Sequence, residues 1–385
     1  MSTARFQSPV IGTTPAEVAV ARPRFEALDS LRGVAALGVA YGHFYGPQIL
    51  DKSHNFAFYL LVDLFFILSG FVLAHRYLDD WLLRRVSLSE FALHRFARLY
   101  PLHLYGLLGI VAFSLLRSAL YAAPELSWFD ALKSGIDVYP DGRVYTFVLH
   151  LLLAHNIGFT PSGLSWHGPS WSISVEFFAP LLLFLWVGLW RDNRNTTFAG
   201  PTLILALACV LAIFNGAHSL DVHYQNLTVW ANYGVLRCLA EAAIGLLVYR
   251  GYMAFDGPAP ALGRSASTAV EIVLLALIGT LLFRRPFTSP QDVLILPLFA
   301  ALIFWLASAR GWVSQILLLP PLRWAGRLSY SIYINHFLVV MSLSLVIFKP
   351  WWLYFGLVLA MSWATYRWIE VPARRAINRR LAPYV

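Results

Sequence analysis

The stretch Leu28-Asp-Ser-Leu-Arg-Gly-Val-Ala-Ala-Leu-Gly-Val-Ala-Tyr-Gly-His43 reads as an apolar helix with an arginine near its start and a histidine at its end. Arg32 and His43 are eleven residues apart. At 100° per residue that is three turns plus about 20°, so both lie on one face, about 16 Å apart along the axis. The other positions are mostly Ala, Val, Leu and Gly, which suits a bilayer. There, a cation and an imidazole each need a partner or an aqueous cavity.

Working outward, the whole chain has the same character. Of its 385 residues, 58% are hydrophobic and only 13% charged, and the mean hydropathy is +0.62. Soluble domains carry about 25% charge, so the composition is that of a polytopic membrane protein. The formal net charge is +9, and 26 of the 29 basic residues are arginine. In a membrane protein this excess reports topology before it reports nucleic acid, and no nucleic-acid partner is expected. Cys209 and Cys238 both fall in apolar segments, giving neither a disulfide framework nor a metal motif, and no metal is expected.

Apolar windows long enough to cross about 30 Å of hydrocarbon lie at roughly 29–48, 56–75, 100–122, 171–190, 200–217, 229–249, 266–283, 291–309, 328–348 and 351–369. An eleventh, about 145–157, is too short for a comfortable span and holds His150, His155 and Asn156. Loop charge decides its place. If it does not cross, the arginines of 76–98, 191–194, 250–264, 310–327 and 374–380 all share the side of the N-terminus. If it crosses, the basic tail is inverted. The positive-inside bias therefore predicts an all-α bundle of about ten spans with both termini cytoplasmic. Residues 145–157 become a re-entrant or interfacial segment, allowed at membrane depth only where protein or water surrounds it. The expected organisation is a flexible cytoplasmic arm at 1–27, one membrane domain at 28–370 and a basic cytoplasmic tail at 371–385.

Among the ionisable residues within the windows are Arg32, His43, Asp63, Glu176, Arg237, Glu241 and His336. Each has a plain reading beside a functional one. Arg32 is either a snorkelling charge beside Asp29 or part of a site. His43 is either a bundle histidine with a hydrogen-bonded ring or a base. Asp63 pairs with an arginine or meets a ligand. Arg237 and Glu241 have the i, i+4 spacing of an intrahelical ion pair. Trp171 and Ser172 belong either to an aromatic belt at a helix start or to a site that includes Glu176. Together these residues indicate a polar, histidine-bearing membrane cavity, and they leave enzyme and transporter both open.

Five motifs in order carry a resemblance. Leu28 to Gly33 with Arg32-x10-His43 is similar to the signature of the acyltransferase-3 family, integral membrane enzymes that O-acylate bacterial carbohydrates. Asp63-Leu-Phe-Phe-Ile-Leu-Ser69-Gly-Phe71 resembles its second-helix motif, and Arg95-Phe-Ala-Arg98 its Arg-x-x-Arg element. Ser170-Trp171-Ser172-Ile-Ser-Val-Glu176 resembles its Trp-Ser-x-x-x-Glu element, and Ser329-Tyr-Ser-Ile-Tyr-Ile-Asn-His336 its late Ser-Tyr-x-x-Tyr-x-x-His element.

The resemblance implies a transferase of the bacterial inner membrane. It would carry an acyl group, acetyl in the first instance, from cytoplasmic acyl-CoA to a hydroxyl of a surface, exported or lipid-linked glycan. On that basis His43 is the general base and Glu176 its orienting partner or a holder of the acceptor. Arg32, Arg95 and Arg98 bind the anionic donor. Asp63, Ser69, Trp171, Ser172 and His336 are expected to meet substrate. The rival is a proton-coupled transporter or flippase of a glycan-related substrate, with His43, Glu176 and Arg237 as a relay. It lacks the paired broken helices and inverted repeats of such carriers.

Overall fold

The computed structural model describes residues 24–45, 57–121, 143–160, 166–190, 198–218, 220, 233–255, 263–283, 289–345 and 350–381. Among these, all regular structure is helical. The helices are α1 (Glu26–Tyr45), α2 (Leu61–Leu82), α3 (Leu88–Tyr121), α4 (Arg143–Leu151), α5 (Trp171–Gly188), α6 (Ala199–Ala217) and α7 (Gly234–Ala254). They continue with α8 (Arg264–Leu282), α9 (Ile295–Leu306), α10 (Trp312–Leu317), α11 (Pro320–Leu343), α12 (Trp351–Thr365) and α13 (Val371–Leu381). Five helical segments of the described chain have the length and apolarity to cross a bilayer: those containing α2, α3, α5, α6 and α8. Their lipid character shows on the outside. Leu203, Ile204, Leu207 and Leu211 form an exposed apolar stripe along α6, and Ile272 and Val273 of α8 are exposed as well, as lipid-facing surfaces are.

Local chemistry sets the helix ends. Ser87 and Glu90 form a capping box at the start of α3: the Ser87 amide donates to Glu90 Oε2 at 2.7 Å, and the Glu90 amide donates to Ser87 Oγ at 3.2 Å. Pro320 and Pro321 open α11, and Pro350 precedes α12, positions where the missing N–H costs nothing. His218 ends α6 in the left-handed conformation, with φ 59°. Helix α1 begins at Glu26, ahead of the expected start at Leu28, and Phe25 already packs edge-on against Phe71. The short segment at 145–157 is a nine-residue helix followed by turns. At 1.5 Å per residue α4 rises only about 13.5 Å, so it cannot span the hydrocarbon.

Small residues bring two helix pairs into backbone contact. A Cβ on Gly33 of α1 would stand 2.5 Å from the Ala325 carbonyl carbon of α11, and one on Gly326 would meet the Asp29 carbonyl. The pair α2–α7 is equally close, since a Cβ on Gly70 would overlap the Ala242 backbone. This is how membrane helices associate where no hydrophobic effect drives them together. Across the α2–α7 seam runs a buried ion pair. Arg237 Nε and Nη2 donate to Asp63 Oδ1 and Oδ2, both at 2.8 Å, and Glu241 Oε1 lies 3.6 Å from Arg237 Nε.

Candidate active site

Helices α1, α2, α3, α5 and α11 line a cleft. Six of the expected site residues line it: Arg32, Ser69, Arg95, Arg98, Ser172 and Glu176. They come from four helices, and each is presented by its position on a helix face. Arg95 and Arg98 are three residues apart and project together. Ser172 and Glu176 are four apart on α5. The remaining wall is Ser329 together with aromatic and aliphatic side chains, Phe65, Phe66 and Leu99 among them.

One carboxylate organises the polar part. Glu176 Oε1 accepts from Ser69 Oγ at 3.2 Å and faces Arg95 Nη2 at 3.5 Å, while Arg95 Nη2 also donates to the Glu176 backbone carbonyl. Arg32 stands 3.5 Å from Asp29, whose carboxylate is held more closely by Arg24 at 2.6 Å. Three guanidinium groups therefore line the cleft against the single Glu176 carboxylate. That imbalance favours an anionic ligand, and guanidinium geometry favours phosphate.

The second cluster is a pair of imidazoles on α1 and α11. The His43 and His336 ring centroids are 4.9 Å apart. His43 Nδ1 lies 3.0 Å from the Val39 carbonyl, which as the acceptor assigns the proton to Nδ1 and leaves the lone pair on Nε2. His336 is fully buried; its Nδ1 lies 3.3 Å from the Ile332 carbonyl, and its Nε2 has no hydrogen-bond partner. Neither imidazole lines the cleft. Tyr333 joins the two clusters: it lines the cleft, accepts from Ser172 Oγ at 2.8 Å, donates to the Pro169 carbonyl at 3.0 Å, and its ring lies 5.6 Å from that of His336.

The structure revises three expectations. Glu176 does not meet His43. The turn before α5 sits level with Tyr333 and Ile334, where the His167 Nε2–H donates to the Ile334 carbonyl at 3.2 Å. Glu176, one helical turn past Ser172, is carried about 6 Å further along α5, onto the arginines. The partner of His43 is His336 instead. Asp63 is not presented to a ligand, because both its oxygens are taken by Arg237 and it is fully buried. Trp171 covers that ion pair, its ring centroid 5.5 Å from the Arg237 guanidinium carbon, and is not part of the cleft wall. The i, i+4 pairing of Arg237 with Glu241 is present but looser than the bridge to Asp63. Tyr330 and Tyr333, the two tyrosines of the late Ser-Tyr-x-x-Tyr-x-x-His motif, also line the cleft, although the sequence reading gave neither a role in the site. Their i, i+3 spacing on the helix that carries His336 was the available signal.

Over 200 residues the chain is 33% identical to protein 2 in the picA locus of Rhizobium radiobacter, covering 50% of this chain and 95% of that one. It is 34% identical over 201 residues to the acyltransferase MdmB of Streptomyces mycarofaciens (49% of this chain, 46% of that one). It is 24% identical over 331 residues to the peptidoglycan O-acetyltransferase OatA of Listeria monocytogenes (81% and 49%), so the chain spans about half the length of these last two relatives. No solved structure matches it. The model of the acyltransferase domain matches residues 25–367, a range that takes in both the arginine cleft and the histidine pair, and the chain accordingly belongs to the acyltransferase-3 family of acyl-transferring membrane enzymes.

Proposed function

We propose that this enzyme moves an acyl group, acetyl in the first instance, from acyl-CoA to a hydroxyl of a surface, exported or lipid-linked glycan. The observation that carries the reading is the three-arginine cleft adjoining the His43–His336 pair. The phosphates of the donor dock against Arg95, Arg98 and Arg32, and its thioester extends past Tyr333 toward the imidazoles. His43 Nε2 takes the proton of the acceptor hydroxyl as its oxygen attacks the thioester carbonyl. The tetrahedral intermediate then collapses, the C–S bond breaks, and the departing thiolate recovers the proton from His43. Glu176 holds Arg95 in place through both its carboxylate and its backbone carbonyl. Ten spans with both termini cytoplasmic, in a bacterial inner membrane, would open the arginine end to cytoplasmic donor and place His43 toward the acceptor.

The test is direct. Purified protein given acetyl-CoA labelled in its acetyl group and a candidate glycan is expected to yield labelled glycan and free CoA. His43→Ala is expected to lose transfer while eluting as a folded species. Undiminished transfer by His43→Ala would overturn the assignment of the base. Passage of unmodified glycan across vesicles, with no labelling, would overturn the enzyme reading of the site.

A further inference from the structure

Away from the cleft, three more histidines gather. His103 on α3, His150 near the end of α4 and His155 in the following turn are all buried, and each offers a ring nitrogen such that the three lie within 4.8 Å of one another. Their rings are nearly parallel, with centroids 3.7 Å apart for His150–His155 and 5.6 Å and 5.9 Å from His103. Two of them are held the same way. His103 Nε2 meets the His150 carbonyl at 2.9 Å, and His155 Nε2 meets the Ser170 carbonyl at 3.0 Å. A carbonyl can only accept, so Nε2 carries the proton in both and Nδ1 carries the lone pair. Both Nδ1 atoms are buried with no hydrogen-bond partner.

A buried lone pair without a donor is costly, and here two occur in one cluster beside a third imidazole. Backbone carbonyls that fix the ring tautomer are the usual outer partners of metal-binding histidine. Neutral imidazoles are ligands for zinc and its neighbours in the first transition series. We infer that His103, His150 and His155 form a three-histidine site for a divalent ion of the zinc class. Zinc–nitrogen bonds are about 2.0–2.1 Å long, so binding draws the nitrogens in from their present separation and turns the stacked rings toward a common point. The ion fastens the segment 143–160 to α3. The same segment is already tied to α5, because Ser174 Oγ donates to the Leu153 carbonyl at 2.5 Å and accepts from the Asn156 amide at 3.1 Å. Through Ser170, at the start of α5, the site braces the helix that carries Ser172 and Glu176. It has no part in the proposed acyl-transfer steps, so the two readings stand or fall separately.

The experiment uses full-length protein purified in detergent without a polyhistidine tag. Elemental analysis after exhaustive dialysis is expected to find about one zinc per chain. Chelation is expected to remove it and lower the thermal midpoint, and zinc is expected to restore both. Replacing it with Co²⁺ is expected to give the visible absorption of a low-coordinate nitrogen site. His103→Asn, His150→Asn and His155→Asn should each lose the ion and the midpoint response. If any of them fails to fold, the cobalt spectrum of the unaltered protein decides the matter. Protein that carries less than about 0.1 zinc per chain, shows no cobalt band and gains no stability from added zinc would overturn the inference. So would full metal content in a folded triple variant.

Discussion

The buried bridge between α2 and α7 gives the sharpest test of what is scaffold and what is site. Arg237 is 1% exposed and Asp63 fully buried, with two hydrogen bonds of 2.8 Å, and Glu241 lies 3.6 Å away on the same helix as Arg237. Removing one partner of such a pair strands an uncompensated charge and costs about 3–5 kcal/mol. Arg237→Met strands two carboxylates and should be the worst single change. Asp63→Asn leaves Glu241 beside the guanidinium and should cost less. Arg237→Lys should be intermediate, since one ammonium cannot reproduce the paired geometry. At roughly 2 °C per kcal/mol for a large chain, Arg237→Met should lower the thermal midpoint in detergent by about 6–10 °C. The triple variant Asp63→Leu, Arg237→Met, Glu241→Gln removes all three charges together and should recover most of the loss. Acyl transfer measured on each variant completes the test. If the triple variant regains the wild-type midpoint but not activity, the bridge takes part in chemistry. If it is as unstable as Arg237→Met, stranded charge was not the cause of the loss.

Two further outcomes follow from the geometry. Arg98→Gln removes one guanidinium from the cleft and should raise the KM for acyl-CoA about 10–100-fold, the worth of a hydrogen bond to a charged group, with kcat little changed. Steady-state kinetics against donor concentration reads this, and an unchanged KM would remove Arg98 from donor binding. Gly33→Ala places a methyl 2.5 Å from α11 backbone atoms that cannot move aside, and should cost about 1–3 kcal/mol as a lower midpoint and yield. Gly200→Ala, with nothing within 4 Å of its Cβ position, is the control that should leave both unchanged.

Much of the cleft was legible because its members sit in short motifs on helices whose apolar windows are unmistakable. Arg95 and Arg98 project together simply because they are three apart. The partnerships between helices were not legible. Asp63 and Arg237 are 174 residues apart, and a single buried carboxylate does not name its cation. The resemblance made Glu176 the orienting partner of His43 or a holder of the acceptor, and a motif does not say which neighbours a helix face meets. The contact of His167 with the Ile334 carbonyl sets the start of α5 beside Tyr333 and Ile334, so Glu176, a turn beyond Ser172, falls at Arg95. The histidine cluster was invisible for a related reason: His103 lies in one apolar window and His150 and His155 in another, and only the return of the chain brings them together.

The close seam between α1 and α11 has a consequence for distance. The two helices run parallel from a common anchor, Gly33 against Ala325 and Gly326. His43 lies ten residues beyond Gly33, and His336 ten beyond Gly326. Equal counts from one fixed point bring the imidazoles to the same height and close together. The seam thus works as a ruler, with zero at the glycines beside Arg32 and its far mark at the histidines about 15 Å on. One residue inserted between Gly33 and His43 would advance that mark by 1.5 Å and swing the imidazole through 100°, off the seam. On the proposed chemistry, this fixed interval sets how long the arm of a donor must be for its acyl group to reach the base.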